Sequence, residues 1–127
     1  MWPFRRTKAP RVDSVDLAEI SFDPDDYPVL TVGQSRLGQS FLALGFDDAS
    51  EARFLHASLR PIRDPGLKTI ADVEIRVDDH VVGYLRPPAL TTAIALLEDH
   101  RAASLAIPVM IFATPAGPEV RVHASLA

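Results

Sequence analysis

The stretch IADVEIRVDDHVVGYL, residues 70–85, decides the fold of this chain. Its first half alternates between a polar face headed by Ile70 and an apolar face that ends at Val77, a period of two that predicts a half-buried strand. Asp78-Asp79-His80 then predicts a tight turn, and Val81–Leu85 is apolar enough to return beside the first strand. The stretch therefore predicts an antiparallel hairpin.

A helix is predicted directly after this hairpin. Pro87-Pro88 suits a first helical turn, because the amide hydrogen that proline lacks would have no partner there. The residues that follow place apolar side chains three and four positions apart, which gives the helix one face toward a core. That face consists of Leu90, Ala93, Ile94 and Leu97.

The rest of the chain adds more strands than helices. Strands are predicted at 29–32, 54–59, 105–114 and 119–126, with a short and partly helical segment at 35–46. Pro61 is expected to lie in a loop after the second of these strands, because proline cannot donate to a central ladder. The predicted fold class is mixed α/β, mainly β: a small antiparallel barrel of the OB or SH3 type with two short helices.

Charge divides the chain in two. Residues 1–11 carry four cations and no anion, whereas residues 12–28 carry six carboxylates and no Lys or Arg. From residue 29 onward, nine cations face eleven anions. This pattern predicts a charged, flexible tail over residues 1–28 and a barrel domain over residues 29–127.

Targeting signals are not recognised in the sequence. The first residues, MWPFRRTK, lack the apolar core of a signal peptide, and no later run is long enough to cross a bilayer. A cytoplasmic location without a membrane span is therefore expected, and the absence of cysteine fits a reducing compartment. An alternative role for the tail is that Trp2, Phe4 and the neighbouring cations contact a membrane or a partner.

The most suggestive catalytic pattern is a glycine loop. Residues 33–40, GQSRLGQS, fit the phosphate-loop pattern except that Gln39 stands where the lysine should be. The later apolar strand, Val109–Phe112, runs on without the carboxylate that would organise magnesium. Gly33-Gln34-Ser35 also resembles the start of a nucleophile elbow, but its second glycine comes one residue late, at Gly38. Neither nucleotide hydrolysis nor serine catalysis is predicted.

Other reactive groups are scattered. The four histidines are far apart in sequence, cysteine is absent, and the paired aspartates fall in predicted loops. The histidines are His56, His80, His100 and His123, with His80 expected in an exposed turn. No catalytic residue, metal ligand or cofactor site is predicted, and the chain is expected not to be an enzyme.

The hairpin and helix over Val73–Glu98 resemble the HIRAN domain family. The family has an apolar strand, a short turn, a V-G-Y/H-L strand and an amphipathic helix that ends in a double leucine. The residues at 30–39, LTVGQSRLGQ, look like its opening strand, V-V-G-E-x-x-Y. The resemblance covers residues 29–126 and implies a stand-alone member with an oligonucleotide-binding type of barrel. In some DNA-remodelling proteins, HIRAN domains hold the 3′ end of single-stranded DNA.

The resemblance also implies a binding site, and this chain departs from it. Arg36 and its neighbours stand where the family often has a tyrosine, and the N-P-x-D loop becomes Asp64-Pro65-Gly66-Leu67, which keeps the proline and loses the aspartate. Tyr84 occupies the aromatic position of V-G-Y-L. The candidate nucleic-acid-binding residues are Arg36, Arg60, Arg63, Lys68, Tyr84 and Arg86.

Two functions of different classes follow. The first is a non-enzymatic module that binds single-stranded DNA or DNA ends, with base stacking on Tyr84 and phosphates on the arginines. The second is a protein-interaction or structural module, able to self-associate or join a partner, that retains the barrel without DNA binding. A positive groove beside Tyr84 would favour the first, and an apolar patch would favour the second.

Overall fold

The computed structural model describes residues 12–127, so the predictions for residues 1–11, including contacts of Trp2 and Phe4, lie outside the described part of the chain. The strands are β1 (Val12–Asp16), β2 (Val29–Leu30), β3 (Arg53–Arg63), β4 (Ile70–Val77), β5 (His80–Tyr84), β6 (Ala102–Thr114) and β7 (Gly117–Val122). The helices are α1 (Gly38–Ala43) and α2 (Ala89–Asp99), and short 3₁₀ turns cover Pro24–Asp26, Gln34–Arg36 and Ala124–Leu126.

All the strands belong to one sheet that curls back on itself. Its order is β2-β7-β6-β3-β4-β5, and every neighbouring pair along this path is antiparallel. β1 is the exception, because it pairs with β6 in parallel. The two outer strands meet where Val32 and Tyr84 form an isolated antiparallel bridge. The prediction of a mainly β, small barrel-like fold with two short helices is thus confirmed.

The predicted β4–β5 hairpin forms around a two-residue turn. Asp78 and Asp79 have φ values of 47° and 66°, the left-handed pair that a type I′ turn requires. His80 is already the first residue of β5 and is half-buried, so its predicted place in an exposed turn is wrong. A turn of two residues suffices because its twist matches that of the flanking strands.

The alternation in β4 holds except at its first two residues. Val73 and Ile75 are fully buried, as predicted, but Ile70 is also buried and Ala71 is exposed. The pairing with β3 shifts here, since Ile62 pairs with Asp72 and the next β3 residue pairs with Ile70. Ala71 is therefore the extra residue of a β-bulge. The bulge shifts the alternation by one residue, so Ile70 faces the core instead of the polar side.

Helix α2 closes one side of the core. It begins at Ala89, directly after the two prolines, and Ala93 and Leu97 are 0% and 2% exposed. Leu90 and Ile94 pack against the same core from its margin. The predicted apolar face of this helix is thus confirmed.

β3 continues through Pro61, where the sequence predicts a loop. Pro61 pairs with Val73 of β4, whereas the β6 pairing on the other side ends at Leu59. The strand has only one neighbour at this point, so a residue without an amide hydrogen is tolerated as on an edge strand. At the other end of the chain β7 stops at Val122 rather than running to 126, because His123 caps a 3₁₀ turn by accepting the Ser125 amide hydrogen at 3.0 Å.

The predicted boundary at residue 28 does not coincide with a structural boundary. β1 pairs with β6, and the Leu17 amide donates to the Ala106 carbonyl at 2.9 Å. Tyr27 is 1% exposed and packs against Phe54 of β3. Burial raises the pKa of Tyr27, whose hydroxyl donates to the Ser21 carbonyl at 2.6 Å. Charge alone suggests a separate tail because the carboxylates of this segment are mostly exposed, while Val15 and Leu17 pack against the core and Tyr27 is buried.

Candidate binding surface at the barrel seam

The candidate site lies where the sheet closes on itself, and we call this junction the seam. Val32 donates to the Tyr84 carbonyl at 3.0 Å and accepts from the Tyr84 amide at 2.9 Å. Directly after this bridge, Gly33 turns the chain with φ of 90°. A Cβ atom on Gly33 would lie 2.8 Å from the Tyr84 ring, so this aromatic side chain rests against the glycine. The first glycine of the GQSRLGQS stretch therefore serves a turn and a close contact.

On one side of the bridge the two chains of the seam diverge and leave a groove. Its volume is about 310 Å³. One wall is the start of β2 and the other is the segment that leads from β5 into α2. The lining residues are Pro28, Val29, Leu30, Arg86, Pro87, Pro88, Ala89 and Ala127. We call this cavity the seam groove. Its lining side chains are apolar apart from Arg86, and Leu30 is 48% exposed.

The backbone of β2 presents an open edge to the seam groove. Both polar backbone groups of Val32 point across the seam to Tyr84. Since backbone groups alternate in direction along a strand, those of Leu30 point to the same side, away from β7. Val29, which precedes Leu30, has its backbone groups on the opposite side and faces Val122 of β7. Within residues 12–127, Leu30 has no backbone partner across the groove.

The opposite wall supplies few hydrogen bonds of its own. Pro87 and Pro88 have no amide hydrogen, and the Arg86 carbonyl already accepts from the Leu90 amide at 3.0 Å. The two walls therefore do not continue the ladder that begins at Val32. The groove opens where the chain after Tyr84 turns into α2, since the Arg86 carbonyl is bonded within the helix start and the two residues that follow have no amide hydrogen.

Three of the six predicted site residues lie along the seam. Tyr84 forms the bridge itself and is half-buried. Arg36 is exposed in the 3₁₀ turn that follows Gly33 and contacts β5. Arg86 is exposed on the wall of the seam groove. Among residues 12–127, neither arginine has a carboxylate within 4.0 Å.

Arg60 lies on the outer face of the sheet, two strands from the seam. Arg60 pairs with Glu74, and Glu74 pairs with Tyr84, so these three side chains form one row across β3, β4 and β5. The guanidinium of Arg60 is 4.0 Å from the Asp79 carboxylate. Glu74 is held by Arg76, with 2.5 Å between Nε and Oε1. The neighbour of Tyr84 in this direction is therefore a carboxylate, and the row carries no surplus of positive charge.

Arg63 and Lys68 lie elsewhere. They belong to the β3–β4 connection, where Arg63 Nη1 donates to the Lys68 carbonyl at 3.4 Å. Arg63 also lines a hollow beside Leu97 and Arg101, at the end of α2 opposite to the seam groove. The six predicted residues are therefore divided among three places, and the structure does not join them into one surface.

The acidic segment lies beside the same outer face. His56 of β3 has its Nε2 atom 3.1 Å from the Ala18 carbonyl, and Phe22 packs edge-on against Phe54. Residues 17–28 thus reach β3 on the side where Arg60 projects, and most of their carboxylates are exposed. A nucleic-acid backbone would meet repulsion there.

Features of other functional classes are few. No group of three His, Cys, Asp or Glu side chains in the described part of the chain could hold a metal ion. Of the helices described, none has the length and apolar character needed to cross a membrane. The pKa shift that burial causes at Tyr27 belongs to packing, because its hydroxyl is engaged with Ser21.

Sequence reasoning missed the apolar part of the groove. The sequence predicts a strand at Leu30 and only a helix start at Pro87 and Pro88, with no groove between them. The signal that could have found it is Tyr27-Pro28 ahead of a strand of a few residues, together with the two prolines after V-G-Y-L. Proline on both sides of a strand junction predicts that pairing stops there.

Comparison of the chain with protein-family models, with curated proteins and with solved structures found no match. The resemblance to the HIRAN family therefore stays a prediction that rests on V-G-Y-L and its helix. No function is transferred to the chain from a known relative.

Proposed function

We propose that this chain is a non-enzymatic protein-interaction module that holds a partner in the seam groove. The observation that carries the proposal is the groove itself, where apolar side chains surround an unpaired strand edge at Leu30. Exposed apolar surface next to an unpaired edge is a common recognition site for polypeptide.

The lining supports a protein partner better than a nucleic acid. Single-stranded nucleic acid is usually held by several stacking aromatics along a positive groove. Here Arg86 has the one charged side chain among the lining residues, and Tyr84 lies at the bridge rather than in the groove. The chain as a whole has a net charge of −4, which adds no long-range attraction for phosphate.

The test is capture of partners with paired variants. Leu30→Arg places a charge in the seam groove, and Leu67→Arg makes the same change at a leucine that is 70% exposed in the β3–β4 connection. We expect partners captured from the native host to be lost with Leu30→Arg and retained with Leu67→Arg. Retention of every partner by Leu30→Arg would contradict the proposal, as would recovery of none by the unsubstituted chain.

Single-stranded DNA or a DNA end is the second candidate ligand. It is favoured by the meeting of Arg36, Tyr84 and Arg86 at the seam, with both arginines free of ion pairs among the described residues. The test is fluorescence anisotropy of a 3′-tailed oligonucleotide at low salt. Loss of binding with Tyr84→Ala would support this candidate, and the absence of binding to the unsubstituted chain would remove it.

A further inference from the structure

We infer that the partner enters the seam groove as an extended strand that pairs with β2 at Leu30 and carries a carboxylate for Arg86. This inference rests on the proposed protein-binding function and specifies the kind of segment that is bound. It excludes a helical or folded ligand for this groove.

The backbone of Leu30 carries the pairing part of the inference. By the alternation along the strand, its amide and carbonyl face the groove, and a further strand lying one strand spacing beyond β2, on the side opposite to β7, would continue the sheet. An extended segment could exchange both hydrogen bonds with Leu30, as an edge strand does in strand addition. The two prolines on the far wall cannot make this exchange, because they have no donor.

The size of the groove limits what can enter. A volume of about 310 Å³ is at the lower end of the range for ligand cavities, which suits a few residues of extended chain rather than a domain. The walls contributed by Pro28, Leu30 and Pro87 are apolar, so side chains of the segment that face them should be apolar as well.

The charge of Arg86 indicates which other side chain the bound segment should carry. Arg86 is exposed on the groove wall, and no carboxylate among residues 12–127 lies within 4.0 Å of it. A guanidinium binds a carboxylate through two parallel hydrogen bonds, so an Asp or Glu in the bound segment would complete the site. The segment is therefore apolar at alternate positions and acidic at one position near Arg86.

The experiment selects peptides directly. A phage library of random nonapeptides is selected on the full chain, and enriched peptides are remade with a fluorophore for anisotropy titrations. We expect alternating apolar residues with at least one Asp or Glu, and affinity that falls about tenfold with Arg86→Glu. Arg63→Glu, at the other end of α2, is the matched control and should leave affinity unchanged.

A second measurement tests strand pairing without altering the protein. Each backbone nitrogen of an enriched peptide is methylated in turn, which removes one donor at a time. Because Leu30 is the one residue of β2 with an open edge and donors alternate in direction along a strand, affinity should fall at the position whose nitrogen donates to the Leu30 carbonyl and not at the positions beside it. Loss at no position, or at consecutive positions, would overturn strand pairing even if the Leu30→Arg test succeeds.

Four other outcomes of these experiments would each contradict part of the inference. Enriched peptides that bind Leu30→Arg as tightly as the unsubstituted chain would overturn both this inference and the proposed function. Enrichment of basic peptides alone would overturn the role of Arg86. A second copy of the chain could fill the seam groove instead, which light scattering would show as a dimer that Leu30→Arg dissociates. That result would overturn the inference that an acidic partner segment is bound. Binding of single-stranded DNA with no peptide enriched would overturn it as well.

Discussion

Gly33 links the backbone of the seam to its aromatic residue. Its φ of 90° is costly for any other residue, and a Cβ would meet the Tyr84 ring at 2.8 Å. We expect Gly33→Ala to lower the free energy of unfolding by about 2 kcal/mol, measured by urea denaturation. In a Tyr84→Ala background the loss should be smaller, because only the backbone cost remains.

Gly38 provides the matched control for this prediction. It is the first residue of α1, and an added Cβ would meet nothing within 4 Å. Gly38→Ala should therefore leave stability unchanged or raise it by up to about 1 kcal/mol, since alanine favours the helix and restricts the unfolded chain. Equal losses at the two glycines would contradict the role given to Gly33.

Tyr27 should make stability depend on alkaline pH. Burial raises its pKa above the ordinary value of 10.0, so the folded state holds the phenol proton more tightly than the unfolded state. The stabilisation is complete below the unfolded pKa and is lost as pH rises through the folded pKa. We expect the free energy of unfolding to fall above about pH 10, and to fall less steeply in Tyr27→Phe.

The control for the Tyr27 prediction is the other tyrosine. Tyr84→Phe leaves the Tyr27 hydroxyl on the Ser21 carbonyl, so the alkaline fall should persist in that variant. Unfolding by urea at a series of pH values gives the comparison. If Tyr27→Phe loses stability as steeply as the unsubstituted chain, the dependence comes from other groups.

At the scale of elements, the sequence predicts correctly those strands and helices whose formation depends on neighbouring residues. β4, β5 and α2 follow from periodicity and from a two-residue turn, all within about thirty residues of chain. Ile70 was misplaced because a bulge at Ala71 depends on how β3 pairs with it, and Pro61 was misplaced because its tolerance depends on where β6 stops. Neither is encoded in the neighbouring residues.

The same distinction applies to the candidate site. Tyr84 and Arg86 could be placed at the seam because they follow directly from the hairpin. The seam groove could not, since it exists only where β2 and the start of α2 diverge, more than fifty positions apart in sequence. The row from Arg60 through Glu74 to Tyr84 likewise depends on strand register.

β1 is the element that most changes the domain boundary. A chain shortened to residues 29–127, the domain that charge predicts, would lose the pairing of β1 with β6 and the packing of Tyr27. We expect its free energy of unfolding to fall by about 3 kcal/mol or more, with increased aggregation through the uncovered β6 edge. A chain that begins at residue 12 keeps both contacts and is the control. Equal stability of the two shortened chains, by urea denaturation, would restore the boundary at residue 28.

At the scale of the whole molecule, charge decides how the two candidate ligands are told apart. Exposed carboxylates of residues 12–28 lie beside the β3 face, while Arg36 and Arg86 stand free of carboxylates at the seam. A protein segment in the seam groove would rely mainly on apolar contact and strand pairing, which respond weakly to salt, with a single ion pair at Arg86. A nucleic acid would rely on phosphate contacts, which respond strongly.

The salt dependence of oligonucleotide binding therefore has a definite expected value. If single-stranded DNA binds at the seam, Arg36 and Arg86 can neutralise two phosphates, and each contributes about 0.7 to the slope of log affinity against log salt. We expect a slope of about −1.4 by anisotropy titration, halved by Arg36→Ala and unchanged by Arg63→Ala, which lies at the other end of α2. A much steeper slope would mean that cations away from the seam also contact phosphates. If those cations belong to the β3–β4 connection, Arg63→Ala would weaken binding as well.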